Sequence, residues 1–235
     1  VRLRDEFLSV ASHELKTPLT PLALRLQLMR QGLETETPDA ARLRGHVEVA
    51  RGQVRRMTSL VDSLLDATRI TRGRLPLRLE QDVDLAAILR DVAAGFEIQA
   101  VRAGCAVEIE APARVLGQWD VLRLEQVVAN LLSNALKFGA GGPVLLRLEE
   151  REGWARLTVR DEGIGMNEEV RGRIFGRFER GVSERHYGGF GLGLYVTRQI
   201  LTAMSGTVSA ESTPDQGATF TVELPRQPPE QQATP

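Results

Sequence analysis

The sequence predicts an α+β protein in which a helical hairpin precedes a domain built from a mainly antiparallel sheet packed on helices. Residues 1–72 carry leucines and valines at helical spacing in two long stretches. After Gly73 the pattern changes to short alternating runs interleaved with helical stretches. We therefore assign residues 1–72 to the hairpin, 73–225 to the second domain, and the polar, proline-rich residues 226–235 to a flexible tail.

The hairpin is predicted from two apolar stripes separated by a break at residues 37–39. At about 100° per residue, each set falls close to one line along its helix. The first stripe consists of Leu8, Leu15, Leu19, Leu22, Leu26, Met29 and Leu33. The second consists of Leu43, Val47, Ala50, Val54, Met57, Val61, Leu65 and Thr68. Two helices bury little on their inner faces, so we expect two hairpins to form a four-helix bundle and the protein to be a homodimer.

The second domain is predicted to contain six strands and three helices. The alternating runs cover residues 75–81, 106–111, 143–150, 154–160, 206–212 and 218–225. The helical patterns cover residues 84–102, 120–138 and 192–204. Residues 166–187 form a long charged segment between two glycine clusters, and we expect it to be a mobile lid.

Composition argues against binding through bulk charge and against a membrane span. The 30 lysines and arginines nearly cancel the 31 aspartates and glutamates, so we expect no nucleic-acid binding. No apolar run approaches the roughly 18 residues of a membrane helix, so we expect no membrane insertion by this segment. The single Cys105 lies in an alternating run and is interpreted as a buried thiol in a reducing compartment.

The first residues, VRLRDEFLSV, already look like the middle of a helix. We therefore expect an upstream sensor region to be absent from this chain. The expected location is the cytoplasm, with attachment to a membrane sensor in a longer protein as an open alternative.

His13 is the candidate nucleophile of the hairpin. It lies roughly 160° from the apolar stripe, on the solvent side of the first helix. Glu14 is adjacent and can orient the imidazole or accept its proton, and Thr17 lies one turn further on the same face. On these residues alone, an ordinary surface pair remains the commoner interpretation of His13 and Glu14.

The helix predicted at 120–138 has one polar face and one apolar face. Asn130, Asn134 and Lys137 fall within about 60° of one another, opposite an apolar set. That set is Val121, Leu124, Val128, Leu132 and Ala135. The amide oxygen of Asn134 suits Mg²⁺ whose charge is balanced by substrate phosphates, and Lys137 can contact those phosphates. A polar outer face without a ligand is the alternative.

Two glycine clusters follow that helix. Asp161 ends a predicted strand and is followed by Gly163 and Gly165, so it can accept a hydrogen bond from an adenine amino group while the glycines leave room for the ring. A turn built only for its geometry explains those glycines equally well.

The second cluster opens the helix at 192–204, where unpaired N–H groups favour a phosphate. Its candidate binding residues are Gly189, Gly191, Leu192 and Gly193. The spacing matches neither a P-loop nor a dinucleotide fingerprint.

Four motifs occur in a fixed order: SHELKTP at 12–18, NLLSNALKF at 130–138, DEGIGM at 161–166 and GGFGLGL at 188–194. In this order they resemble the catalytic core of two-component sensor histidine kinases, and the resemblance covers nearly the whole chain. It implies an α/β sandwich of the histidine-kinase and gyrase ATPase type, with ATP and Mg²⁺ bound in the second domain. It also implies a response-regulator receiver domain as the partner that takes the phosphoryl group.

The resemblance assigns roles to particular residues. His13 becomes the phosphorylated residue, Glu14 its acid or base partner, and Thr17 the residue that aligns water for removing phosphate from the regulator. Arg180 becomes a phosphate contact. Gly217 and Thr219 match the last glycine-containing motif of the pocket, although a tight turn between strands also explains Gly217.

Two other functions use similar features. Gyrase-type ATPases share the fold but carry a water-activating Glu at the position of Asn130, and an amide cannot act as that base. A dimeric scaffold that binds nucleotide without catalysis is the third possibility. The presence of His13 and the occupied pocket positions favour phosphoryl transfer over both.

Overall fold

The computed structural model describes residues 2–35, 39–71, 75–179 and 191–227. Helix α1 spans Arg2–Leu33 and α2 spans Ala40–Thr71. The carboxylate of Asp39 accepts hydrogen bonds from the backbone N–H groups of Ala41 and Arg42, at 2.9 and 3.0 Å, and so caps α2. The two predicted hairpin helices are confirmed. No helix in the described residues is long and apolar enough to cross a bilayer.

Much of the predicted apolar surface of the hairpin is open in a single chain. The exposed fractions of Leu26, Val54 and Leu65 are 55%, 50% and 49%. Leu60 instead is buried within the main hydrophobic core, and Leu64 packs against that core. The open stripe is the surface that a second hairpin would cover, and the homodimer stays a prediction.

In the residues that the structure describes, seven strands form two sheets. They are β1 (Glu80–Asp84), β2 (Val107–Glu110), β3 (Leu116–Trp119), β4 (Val144–Arg151), β5 (Trp154–Asp161), β6 (Thr207–Ser212) and β7 (Ala218–Pro225). The main sheet has the order β2-β4-β5-β7-β6, and β1 pairs with β3 in a separate ribbon. Only β2 and β4 run parallel within the main sheet, which confirms the mainly antiparallel prediction.

Five helices complete the described part of the second domain. They are α3 (Leu85–Gly95), α4 (Glu97–Ala103), α5 (Val121–Phe138), α6 (Glu168–Arg173) and α7 (Gly193–Ala203). The prediction of one helix over 84–102 is wrong, because Phe96 separates α3 from α4 and its backbone N–H closes α3 on the Ala93 carbonyl at 3.0 Å. Part of the predicted lid, at 168–173, is helical.

Two strand predictions differ from the structure. Residues 75–79 are not a strand, because Pro76 has no N–H and the Arg78 N–H donates to the Asp120 carboxylate at 2.8 Å instead of to a sheet. Strand β3 was not predicted. The contacts of the domain also extend one residue past the predicted end at 225, because the Arg226 N–H donates to the Gly153 carbonyl at 2.9 Å.

Strand alternation decides which side chains reach the helices. In β5, Ala155, Leu157, Val159 and Asp161 are buried, whereas the alternate residues are more exposed. In β7 the buried set begins with Ala218 and Phe220. The helix-covered face of the sheet is therefore the apolar core, and Asp161 stands at its edge.

Candidate nucleotide-binding site

Asp161 is a buried carboxylate at the end of β5, with 3% of its surface exposed. It accepts hydrogen bonds from the backbone N–H groups of Gly163, at 3.0 Å, and Ala218. Burial raises the pKa of Asp161 above its ordinary value and outweighs the two hydrogen bonds, which lower it. Such a carboxylate is well suited to accept a hydrogen bond from a ligand donor in an otherwise apolar place.

Three glycines allow the backbone to close around Asp161. A Cβ on Gly163 would lie 1.8 Å from the Phe138 carbonyl oxygen, and one on Gly217 would lie 2.0 Å from the Asp161 carbonyl oxygen. Gly165 has a φ of +60°, which a side chain would strain. The Gly217 N–H also donates to the Gly163 carbonyl at 2.9 Å. Close backbone packing therefore accounts for these glycines, and that packing builds the walls around the carboxylate.

Helix α5 ends beside this carboxylate and carries three half-buried polar residues, Asn130, Asn134 and Lys137. Its buried apolar residues lie mainly on the other side of the helix, so the predicted division into two faces is confirmed, and the buried Arg123 lies on the polar side. Lys137 places its Nζ atom 4.7 Å from the centre of the Phe138 ring. Asn134 makes no hydrogen bond through its side chain to any other described residue. Its amide oxygen is a neutral ligand of the kind that Mg²⁺ can bind when phosphates supply other ligands.

Asn130 joins α5 to the start of α7. Its Nδ2 atom donates to the Thr197 hydroxyl at 2.7 Å, and Thr197 is 1% exposed. A Cβ on Gly193 would lie 2.3 Å from the Asn130 amide oxygen, so only glycine allows α7 to begin so close to α5. The side chain of Asn130 is thus held in place at the N-terminus of α7, where a phosphate would be favoured.

The described residues of the second glycine cluster could face a ligand only through their backbone. Gly191 has a φ of +64°, and a Cβ there would lie 2.4 Å from the Glu179 carbonyl oxygen. Leu192 is 1% exposed, so its side chain belongs to the core and only its backbone could face a ligand. Gly189 and Arg180 lie outside the described residues. Their predicted contacts with nucleotide stay predictions.

Phe175 and Phe178 flank this cluster on the lid side. The Phe175 ring meets the Phe220 ring edge to face, with centroids 6.4 Å apart. Phe178 is partly buried and packs against the same core. Both rings pack against neighbouring residues of the protein, and neither position requires a ligand.

Thr219 does not join the other site residues. The β5–β7 register pairs Asp161 with Ala218 and Arg160 with Thr219, so the Thr219 side chain lies on the open face of the sheet. There it lines a shallow depression together with Arg147, Thr158 and Thr221. The assignment of Thr219 to the pocket is therefore wrong by one residue, and Ala218 is the residue whose N–H reaches Asp161.

On the hairpin, the backbone of His13 and Glu14 lies within α1, but their side chains lie outside the described part of the structure. Thr17 is exposed on the same helix. Their predicted roles are therefore taken up below as proposals.

Two supporting residues were not found from the sequence. The hydroxyl of Ser212 donates to the Gly217 carbonyl at 2.6 Å and accepts from the Met166 N–H at 2.8 Å, which joins the β6–β7 hairpin to the glycine turn. Thr197 holds Asn130 as described above. The spacing of Gly193 and Thr197, one helical turn apart, was the available signal for the second contact.

Comparison with known families matches two consecutive models. Residues 3–73 match the His Kinase A (phospho-acceptor) domain. Residues 119–228 match the family described as histidine kinase-, DNA gyrase B- and HSP90-like ATPase. Together the two models span most of the chain, one on each predicted domain.

Individual relatives are similar to this chain over both of these regions. The chain is 31% identical over 233 residues to the signal transduction histidine-protein kinase BarA of Escherichia coli, which covers 93% of this chain and 24% of BarA. Among solved structures, the Acinetobacter baumannii histidine kinase AdeS superposes with a TM-score of 0.67 at 26% identity, over 91% of this chain and 98% of that one. Full-length ShkA, solved in complex with AMPPNP, gives a TM-score of 0.66 at 28% identity, over 94% of this chain and 45% of ShkA.

Proposed function

Because the chain belongs to the two-component sensor histidine kinases, as the catalytic core with an ATP-binding domain of the histidine kinase and gyrase type, we propose that it transfers the γ-phosphoryl group of ATP to His13. The observation that carries the proposal is the buried Asp161 carboxylate, enclosed by the glycine turn and set beside the polar face of α5. The chain spans about a quarter of BarA, so the activity of the whole protein is part of this proposal.

The nucleotide would bind across the end of α5. Asp161 would accept a hydrogen bond from the adenine amino group, in addition to the two that it accepts from backbone N–H groups. Asn134 would hold Mg²⁺ through its amide oxygen, and Lys137 would contact the phosphates. The bound metal would neutralise phosphate charge during transfer. Arg180 and Gly189 would close the site from the segment beyond Glu179.

His13 would then act as the nucleophile. An imidazole with an ordinary pKa near 6.5 keeps a large neutral fraction at neutral pH. Its ring nitrogen forms a bond to the γ-phosphorus, the bond from that phosphorus to the oxygen of ADP breaks, and the imidazole proton passes to Glu14. Positioning of the two domains supplies most of the catalysis in a transfer of this kind.

The amide side chain of Asn130 favours phosphoryl transfer over ATP hydrolysis. A hydrolytic enzyme of this fold needs a base at that position, and the Asn130 side chain is instead an amide that donates to Thr197. It cannot remove a proton from water. Asn130 therefore has a structural role in the site and does not activate water for ATP hydrolysis.

The phosphoryl group would pass from His13 to an aspartate of a response-regulator receiver domain. Thr17 is exposed on the same helix and would align a water molecule for the opposing activity, hydrolysis of the phosphate on that regulator. The two-hairpin bundle would present His13 from a homodimer, in keeping with the open apolar surface of α1 and α2.

Incubation with γ-labelled ATP and Mg²⁺, followed by addition of a receiver domain, tests this function. The label should appear first on the chain and then on the receiver. Thr17→Ala should leave self-labelling largely intact and lengthen the life of the phosphorylated receiver. Thr20→Ala, an exposed threonine on the same helix, is the matched control and should change neither. Absence of label on the chain would contradict the proposal.

A further inference from the structure

A buried ion pair joins the hairpin to the second domain. Arg123, in the first turn of α5, donates from Nη1 to the Asp66 carboxylate of α2 at 2.8 Å. The side chains of Arg123 and Asp66 are only 10% and 9% exposed. Among the ion pairs of the described residues, no other has both side chains so deeply buried.

Gln126 completes a closed network with these two residues. Its amide nitrogen donates to the same Asp66 oxygen at 2.8 Å, and its amide oxygen accepts from Arg123 Nη1 at 2.8 Å. We call Asp66, Arg123 and Gln126 the anchor triad. Each member contacts the other two. Two hydrogen bonds cross between the domains and a third, within α5, holds Arg123 and Gln126 together, so the contact is fixed by geometry and not by charge alone.

The anchor triad and the nucleotide residues share one stripe of α5. At about 100° per residue, Arg123 and Gln126 fall within about 80° of the stripe members further along. Those members are Asn130, Asn134 and Lys137. One continuous polar stripe therefore contacts the hairpin through its first turns and faces the candidate nucleotide site through its last turns.

A second contact fixes the same end of α5. Asp120 caps the helix by accepting from the Arg123 N–H at 3.0 Å, and its other oxygen accepts from the Arg78 N–H at 2.8 Å. Arg78 lies a few residues after the end of α2. The start of α5 is thus joined both to α2 and to the irregular segment that precedes β1.

We infer that the anchor triad positions the nucleotide-binding domain on the hairpin for phosphoryl transfer, with Asp66 as its positioning residue on the hairpin side. This inference rests on the proposed function. Helix α5 is fixed to α2 at one end and holds the nucleotide at the other. It therefore sets the position of the γ-phosphate relative to the hairpin helices. Loss of the contact lets the domain sample other orientations, so the fraction of time spent in reach of His13 falls.

The test compares Asp66→Asn, Arg123→Met and the exchanged pair Asp66→Arg with Arg123→Asp. In the two single variants kcat for self-phosphorylation should fall about ten- to a hundredfold, while the Kd for an ATP analogue stays within about twofold. The exchanged pair should recover a large part of kcat. Arg147→Met, which removes an exposed ion pair with Glu110 on the sheet, is the control and should leave both values unchanged.

Amide hydrogen exchange of the last turns of α2 and the first turns of α5 supplies a readout that does not need activity. Exchange should rise in both segments of the Asp66→Asn chain and stay unchanged in the Arg147→Met chain. An unchanged or raised kcat with unchanged exchange would overturn the inference, and so would a parallel loss of nucleotide affinity. If the unaltered chain failed to label itself, the proposed function would be wrong, and the exchange comparison alone would decide whether the triad anchors the domain.

Discussion

The side-chain amide of Asn130 donates a hydrogen bond of 2.7 Å to the hydroxyl of Thr197, which joins α5 to α7 at the edge of the candidate nucleotide site. Thr197 is buried, and Gly193 packs directly on the same asparagine. The contact therefore holds the N-terminus of α7 at a fixed distance from the polar face of α5.

Thr197→Val should weaken nucleotide binding severalfold, because Asn130 loses the acceptor that fixes its orientation. The free energy of unfolding should fall by about 0.5–1.5 kcal/mol, the net contribution of one hydrogen bond, because the half-buried Asn130 can still reach water. Titration with an ATP analogue and denaturant unfolding measure the two effects. Thr202→Val on the same helix is the control. Its exposed hydroxyl bonds only to the Arg198 carbonyl, so affinity should not change.

Gly163→Ala should damage both stability and the site. Its Cβ would lie 1.8 Å from the Phe138 carbonyl oxygen, so the glycine turn must move away from the end of α5. We expect a loss of about 3 kcal/mol, at the upper end of overpacking costs, and loss of nucleotide binding. Gly172→Ala in α6 meets no atom within 4 Å and should be neutral or slightly stabilising. Equal behaviour of the two variants in thermal unfolding would refute the packing described for Gly163.

The ionised Asp161 carboxylate should reduce the free energy of unfolding at neutral pH, because the same burial that suits it to bind a ligand donor destabilises its charge. Its folded pKa is raised by burial, so the folded state holds its proton more tightly than the unfolded state does. Stability from this group is therefore fully present below the ordinary pKa and is lost as pH rises through the raised folded value. Asp161→Asn should consequently be more stable than the unaltered chain at pH 7, with a difference that shrinks as pH falls towards 4.

Denaturant unfolding of both chains across that range checks the prediction for Asp161. The same variant should lose discrimination for adenine, because an amide presents a different hydrogen-bond pattern to the base. A stability difference that does not depend on pH would contradict the assigned burial of the carboxylate. Retained adenine preference would contradict its role in binding.

The hairpin surface should mediate dimerisation. Leu26 is 55% exposed in a single chain, on the apolar stripe of α1. Leu26→Glu should therefore convert a dimer into a monomer, as measured by light scattering at micromolar concentration. Val101→Glu is the matched control, since Val101 is 75% exposed on α4 of the second domain and should not affect assembly. A monomeric unaltered chain would refute the four-helix bundle.

Helical periodicity predicted the elements that depend on local pattern. The two faces of α5 follow from residues three and four apart, so the opposition of Asn134 to Leu132 is visible in the sequence. The break at Phe96 was not visible, because the apolar spacing continues across it. The strand predicted at 154–160 was found from its alternation and corresponds to β5, where the structure shows that Asp161 continues the buried set.

Non-local contacts could not be predicted in the same way. The side of the sheet on which Thr219 lies depends on the pairing of Asp161 with Ala218, and a shift of one residue reverses it. The contact of Asp66 with Arg123 joins residues 57 positions apart. Both side chains look like ordinary surface charges in the sequence, and only the docking of the two domains buries them.

Self-labelling of His13 is the most direct test of the proposed kinase activity. The unaltered chain, incubated with γ-labelled ATP and Mg²⁺, should acquire a label that is labile in acid and stable in base, as expected for a phosphoramidate. His13→Gln should abolish that label and leave the Kd for an ATP analogue within about twofold. His46→Gln should keep the label, because His46 is buried between the hairpin helices and contacts Arg25. Label of the same stability on the His13→Gln chain would contradict the assignment.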